Sequence, residues 1–152
     1  PELLGTEETE PAQNPVGEII AENPALVLGA IVFMFVVVGP AEEILFRGVV
    51  QNRVRERFSK LPAIVIAAFL FAVVHVVALA GQDPVGIAMT IAVLFVTSLG
   101  LGWIYEYTGN IVVPALLHGF HNSIIVAVTA IGSIYDIEEA TLLLSDLVLG
   151  FA

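Results

Sequence analysis

Ionisable and polar side chains stand inside stretches of this chain that are otherwise apolar. They occur in three separate stretches and comprise Glu42, Glu43, Arg47, His75, His118, His121 and Asn122. A carboxylate and an imidazole that share a water molecule can remove its proton as the water attacks a carbonyl carbon. A second imidazole and a side-chain amide can donate hydrogen bonds to the oxyanion that forms. These residue types could therefore hydrolyse an amide bond without a side-chain nucleophile, and the chain contains no cysteine that could serve as one.

The helical period indicates which of the residues near Glu42 can act together. Residues four apart share a helix face, whereas adjacent residues point about 100° apart. Glu43 and Arg47 are four apart, so we predict an ion pair between them that is separate from the chemistry. Glu42 has apolar neighbours on its own helix face, and its partners must therefore lie on other helices. His75 and His118 are the candidates.

On the last of the three stretches, His118 and Asn122 are also four apart and are predicted to point in the same direction. His121 is offset from His118 by about 60° for a period of 3.6 residues. We therefore expect His118 and Asn122 to join Glu42 and His75 in one group. His121 is expected to lie beside that group, as a supporting or purely structural residue.

The composition shows that lipid must be the solvent for most of the chain. Hydrophobic residues make up 58% of the 152 residues, charged residues 13%, and the mean hydropathy is +0.96. Soluble domains are about 45–50% apolar and about 25% charged, and a chain this short could not bury so much apolar surface in a soluble core. The composition therefore excludes a soluble enzyme and indicates an integral membrane protein.

The apolar stretches predict an all-α, polytopic membrane bundle with four spans, since one span needs about 20 mostly apolar residues. The spans are predicted at 24–58, 62–80, 85–107 and 111–131, and the first is expected to bend at Pro40. We divide the chain into a polar, acidic segment at 1–23, a membrane-embedded core at 24–131 and a peripheral helix or partial span at 132–152. Because the first residue is Pro1 rather than methionine, we expect a fragment or processed product with further helices upstream.

The charge distribution predicts the topology. All five basic residues lie between Arg47 and Lys60, and four of them crowd the loop between the first two spans, which is therefore expected on the cytoplasmic side. From that side, Glu42 lies roughly 16 Å deep, His75 roughly 20 Å and His118 roughly 12 Å, at about 1.5 Å per residue. The three groups thus share one layer, in a cavity predicted to open to the cytoplasm. The net charge of -10 is the kind of balance expected in a high-salt environment.

Three motifs on successive hydrophobic helices carry a resemblance to a known family. Residues 42–47 read EExxxR, residues 71–75 read FxxxH and residues 118–122 read HxxxN. In this order they resemble the CAAX protease and bacteriocin-processing family of membrane proteases, also called Abi or Rce1-like. The resemblance covers about 24–131. It implies a glutamate-dependent, metal-free endopeptidase without a cofactor, and eukaryotic members of the family remove the last three residues of prenylated proteins.

The resemblance also implies roles for the motif residues. Glu42 would be the base and His75 would help to activate water, while His118 and Asn122 would form the oxyanion site. The remaining motif residues would support or orient them, and these are Glu43 and Arg47. The implied partners are membrane lipid and a peptide or protein substrate that can carry a lipid, with no nucleic acid.

Three other readings of the same residues stay open. A zinc metalloprotease would use a ligand set drawn from His75, His118, His121 and either Glu42 or Glu43, although the HExxH motif of many zinc proteases is absent. In a non-catalytic membrane scaffold or immunity protein, the polar residues would only lock helices together. In a proton or ion pathway, they would form a relay across the membrane.

Overall fold

The computed structural model describes residues 23, 25–79 and 83–135, with side chains described as far as 132. The predicted polar segment at 1–23 therefore lies almost entirely outside the described residues, as does most of the segment at 132–152. Within the described part, the chain is helical and contains no strand, which confirms the all-α prediction.

Four helices form the bundle, and all are long and apolar enough to cross a membrane. They are α1 (Ala25–Arg55), α2 (Lys60–Leu79), α3 (Pro84–Thr108) and α4 (Val112–Tyr135). Each lies within a few residues of a predicted span. The prediction of a polytopic, integral membrane protein is thus confirmed.

Helix α1 is continuous but not uniform around its proline. Two π-helical segments, Met34–Val38 and Ile44–Gln51, flank the α-helical segment Gly39–Glu43 that contains Pro40. Proline has no N–H to donate to the preceding turn, and wider π-type turns often occur at functional sites. The helix therefore departs from the regular period on both sides of Glu42 and Glu43.

Local capping interactions fix where α3 and α4 begin. The Asp83 carboxylate accepts hydrogen bonds from the N–H groups of Val85 and Gly86, both at 3.0 Å, and so caps the start of α3. Gly109 caps the end of α3, and its φ of 61° suits glycine. The Asn110 side chain then caps α4, so a tight turn makes α3 and α4 antiparallel neighbours.

The backbones of α1 and α4 touch at two glycines. A Cβ atom on Gly119 would lie 2.7 Å from the carbonyl oxygen of Phe35, and a Cβ atom on Gly39 would lie 2.7 Å from the nitrogen of Gly119. Small residues allow such close approach between membrane helices. The contact sets the distance between Glu42 and Glu43 on α1 and His118 on α4.

A buried polar interface joins α1 to α3. On α1 its members are spaced four residues apart, and so are the residues of α3 that face them. On α1 the interface consists of Arg47, which donates to Ser98, and Gln51, which donates to the carbonyl oxygen of Gly102 and to the carboxylate of Glu106. Because Arg47 and Gln51 lie about one helical turn apart, as do Ser98 and Gly102, these contacts hold the two helices in one register.

Candidate active site

The carboxylate of Glu42 lies between two imidazoles contributed by other helices. Its Oε2 is 3.3 Å from Nε2 of His118 on α4, and its Oε1 is 3.9 Å from Nε2 of His75 on α2. The side chains of Glu42 and His75 keep 27% and 28% of their surface exposed, so small molecules can reach both. The prediction that Glu42 finds its partners across the bundle is confirmed.

All four residues predicted to carry the chemistry line one cavity of about 260 Å³. They are Glu42, His75, His118 and Asn122. Among the described residues, the Asn122 side chain lines the cavity and has no hydrogen-bond partner. His121 is half-buried and does not line the cavity, in agreement with its predicted offset.

The apolar part of the cavity wall lies towards the end of the bundle away from the basic loop. It is formed by residues from the N-terminal halves of α1 and α3 and from the C-terminal half of α4, namely Met34, Leu94, Ile125 and Val126. A cytoplasmic opening of the cavity stays a prediction.

Phe71 on α2 organises the two histidines. Its carbonyl oxygen lies 2.7 Å from Nδ1 of His75, and because a carbonyl can only accept, Nδ1 carries the proton in that contact. Its ring centroid lies 4.6 Å from that of His75 and 5.6 Å from that of His118. The phenylalanine of the FxxxH motif therefore fixes the orientation of one imidazole and packs against the other.

His118 contacts a second carboxylate through its other nitrogen. Its Nδ1 lies 2.8 Å from Oε1 of Glu43, and both side chains are buried. The same Oε1 accepts a hydrogen bond from Nη1 of Arg47 at 2.8 Å, so the predicted Glu43–Arg47 ion pair is present. The expectation that this pair is separate from the chemical group is wrong. An imidazole has nitrogens on two sides, and two adjacent glutamates that point in different directions can therefore both bind it.

Two features of the site were not predicted from the sequence. Ser98 on α3 binds Arg47 through both its hydroxyl and its carbonyl oxygen, each at 2.8 Å from Nη2. Gly39 and Gly119 bring α1 and α4 into backbone contact. A signal for Ser98 exists in the sequence, since Ser98, Gly102 and Glu106 repeat the four-residue spacing of the polar residues on α1.

The donor geometry bears on the zinc alternative. Within residues 25–79 and 83–132, no group of three or more His, Asp or Glu side chains is arranged to hold a metal ion. Both nitrogens of His118 lie against carboxylate oxygens, and Nδ1 of His75 is engaged by a backbone carbonyl. The arrangement thus resembles a hydrogen-bonded acid–base group more than a tetrahedral ligand set.

Comparison with known proteins identifies the family. The family model described as type II CAAX prenyl endopeptidase Rce1-like matches residues 24–124, about two-thirds of the chain, and the match includes all four cavity residues named above. No curated protein and no solved structure gives a significant match. On the strength of the family match, this chain belongs to the type II CAAX prenyl endopeptidase, Rce1-like family.

Proposed function

We propose that this chain is an intramembrane endopeptidase in which Glu42 activates a water molecule for attack on a peptide bond. The observation that carries the proposal is the convergence of a carboxylate, two imidazoles and an amide from three helices on one cavity. Charged groups cost several kcal/mol at membrane depth, and those that a membrane protein retains there are usually paired or functional. The four side chains together match the needs of amide hydrolysis.

In this proposal, the attacking water lies between Glu42 and His75. The 3.9 Å between Glu42 Oε1 and His75 Nε2 is too long for a direct hydrogen bond, and a bridging water suits such a gap. Because Nδ1 of His75 donates to the Phe71 carbonyl, Nε2 of the neutral ring presents a lone pair towards the gap. Both protons of the water are then accepted, and its own lone pair is free to attack.

In this proposal, the oxyanion forms near His118 and Asn122. Both residues line the cavity, and Nε2 of His118 lies on the side of the ring that faces Glu42. An N–H at Nε2 and the amide of Asn122 would donate to the oxygen that becomes negative as water attacks. Each donor of this kind contributes about 2.7–4 kcal/mol to transition-state stabilisation in well-studied enzymes.

The proposed reaction balances without a covalent intermediate. Attack forms a bond between the water oxygen and the carbonyl carbon, and the water proton passes to Glu42. The carbonyl electron pair moves onto oxygen and returns when the bond from carbon to nitrogen breaks. Glu42 then gives its proton to the leaving nitrogen, which leaves an amine and a new carboxyl terminus.

The substrate we propose is a membrane-anchored peptide with a prenylated cysteine near its C-terminus. Support comes from the family description, CAAX prenyl endopeptidase, and from the apolar cavity wall, which could contact a lipid chain. Met34 and Leu94 form part of that wall beside the acid–base group. An apolar wall next to a few convergent polar groups is typical of sites that bind amphiphilic ligands.

The test is cleavage of a farnesylated CAAX peptide by purified protein in liposomes. We expect Glu42→Gln to lower kcat by about 10²–10⁴, the usual contribution of a general base, because glutamine keeps the shape but cannot accept a proton. Glu56→Gln is the matched control, since Glu56 pairs with Arg53 in an exposed part of the chain. Cleavage by Glu42→Gln at the rate of Glu56→Gln would refute the assignment of the base.

Metal analysis of the same samples tests the zinc alternative. If Glu42 acts through water alone, dialysis against a chelator leaves kcat unchanged. Stoichiometric zinc whose removal and return abolish and restore cleavage would instead establish a metalloprotease.

A further inference from the structure

The contacts of His118 bear on where its protons are. Each ring nitrogen lies against a carboxylate oxygen, Nδ1 at 2.8 Å from Glu43 and Nε2 at 3.3 Å from Glu42. A nitrogen and a carboxylate attract each other only when a proton lies between them. Neutral imidazole has a single N–H, so a ring with both nitrogens protonated is the state that satisfies both contacts without a proton on either glutamate.

Glu43 is held as a carboxylate by Arg47. Both side chains are buried, with 0% and 1% of their surface exposed, and arginine stays protonated in proteins. The Oε1 atom of Glu43 accepts from Arg47 Nη1 and faces Nδ1 of His118 at the same time. The position of this one oxygen therefore depends on the position of the guanidinium.

The guanidinium in turn is fixed from the side of α3. Nη2 of Arg47 donates to the hydroxyl and to the carbonyl oxygen of Ser98, and the carbon of the guanidinium lies 5.5 Å from the ring centroid of Phe71. Ser98 is buried, with 1% of its surface exposed. Helix α3 contributes none of the three sequence motifs, and yet one of its side chains is linked to His118 through two intervening residues, Arg47 and Glu43.

We propose that Ser98 is a positioning residue, which acts through Arg47 and Glu43 to keep Nδ1 of His118 protonated and Nε2–H directed into the cavity. The chain of contacts is Ser98 Oγ to Arg47, Arg47 to Glu43, and Glu43 to His118, each at 2.8 Å. Four charges then balance within the site, from Glu42, Glu43, Arg47 and doubly protonated His118. Only the effect on turnover rests on the proposed function, since the proton positions can be measured without a substrate.

The first experiment is ¹⁵N NMR of protein labelled at histidine, in detergent micelles near neutral pH. The chain has three histidines, and His118→Asn assigns the signals of His118. In the unsubstituted protein we expect both ring nitrogens of His118 to be protonated. In Ser98→Ala we expect the Nδ1–H signal to shift and to exchange faster with water, and we expect Ser98→Thr, which keeps a hydroxyl, to restore it.

Ser123→Ala is the matched control. Ser123 is also a buried serine in a spanning helix, but the partners of its hydroxyl within the described residues are the backbone carbonyls of Gly119, at 2.7 Å, and Ile31, at 3.3 Å. We expect the His118 signals in this variant to match those of the unsubstituted protein. Kinetics on the prenylated peptide should show kcat lowered about threefold to tenfold in Ser98→Ala, with KM unchanged and with partial recovery in Ser98→Thr.

The outcomes separate this inference from the proposed function. A single protonated ring nitrogen on His118 in the unsubstituted protein would overturn the inference, whatever the enzyme cleaves. Signals of His118 that are the same in Ser98→Ala and Ser123→Ala would also overturn it. If Ser98→Ala then lowered only the unfolding temperature, Ser98 would be a packing residue and not a positioning residue. If the NMR results hold but no variant affects cleavage, the positioning of His118 stands and the proposed function fails.

Discussion

The backbone contact between α1 and α4 gives the most specific structural prediction, made with Gly119→Ala. The new Cβ atom would lie 2.7 Å from the carbonyl oxygen of Phe35 and 2.9 Å from its Cα, whereas relaxed contacts lie at about 3.5 Å. Both neighbours are backbone atoms, so no side-chain rotation relieves the overlap. The two helices must therefore separate by roughly 0.6–0.8 Å, the shortfall from an ordinary contact distance.

That separation would act directly on the proposed chemistry. A shift of this size would lengthen the 2.8 Å contact between His118 and Glu43 to about 3.4 Å, beyond the usual range of a hydrogen bond. Overpacking costs about 1–3 kcal/mol, partly offset because alanine is favoured over glycine in a helix by roughly 0.5–1 kcal/mol. We expect a net loss of about 1–2 kcal/mol in stability and a tenfold to hundredfold loss in kcat/KM, since misplacement by about 1 Å can cost about 10² in rate.

The assay combines thermal unfolding in detergent with cleavage of the prenylated peptide. Gly100→Ala is the matched control, because Gly100 is an exposed glycine of α3 and a Cβ atom added to it would meet no atom within 4 Å. That variant should keep full activity and equal or slightly higher stability. If Gly119→Ala behaves like Gly100→Ala in both measurements, the claim that this contact positions His118 is refuted.

Two further predictions concern single side chains. Asn122→Ala should lower kcat by about 10²–10³ with little change in KM, because the amide is proposed to donate only to the oxyanion; an equal rise in KM and fall in kcat/KM would instead assign Asn122 to substrate binding. Asp83→Ala should lower the stability of the bundle by about 1 kcal/mol through loss of the α3 cap while leaving kcat unchanged, as measured by thermal unfolding and peptide cleavage. A loss of activity without a loss of stability in Asp83→Ala would contradict its role as a cap.

The sequence predicted the architecture well because the signals involved are strong and additive. A run of about 20 apolar residues has few alternatives to a membrane span, and each of the four predicted spans corresponds to an observed helix. Charge in such a run is costly, so Glu42, His75 and His118 could be selected from their positions in the sequence alone. Their convergence on one cavity followed from depth and helical phase.

The relation of Glu43 to the site could not be predicted in the same way. The prediction assumed a regular helical period for α1, in which Glu42 and Glu43 lie on different faces of the helix. It also assumed that each histidine binds one carboxylate. The structure has π-helical segments on both sides of the two glutamates and a histidine that binds one of them through each nitrogen. Neither feature has a signature in local sequence, because both depend on which helix packs opposite.

The roles of Ser98 and Gly119 could not be assigned from the sequence, although the four-residue spacing of Ser98, Gly102 and Glu106 is visible there. A serine in an apolar helix and a glycine beside a motif histidine are common in membrane proteins. Their roles become clear only when the partner across the interface is known, Arg47 for Ser98 and Phe35 for Gly119. The cytoplasmic opening of the cavity and the identity of the substrate stay predictions.

The most direct test of the central claim is to measure substrate binding and cleavage on the same Glu42→Gln protein. Glutamine keeps the size of the side chain and removes the base, so we predict that the farnesylated peptide binds with a Kd within about twofold of the unsubstituted value, a difference small beside the tenfold that about 1.4 kcal/mol represents. The peptide is then incubated with Glu42→Gln for a time in which the unsubstituted enzyme would complete many turnovers. Mass spectrometry should show that its C-terminus is still intact. A new C-terminus produced by Glu42→Gln at the unsubstituted rate would contradict the claim that Glu42 activates the water.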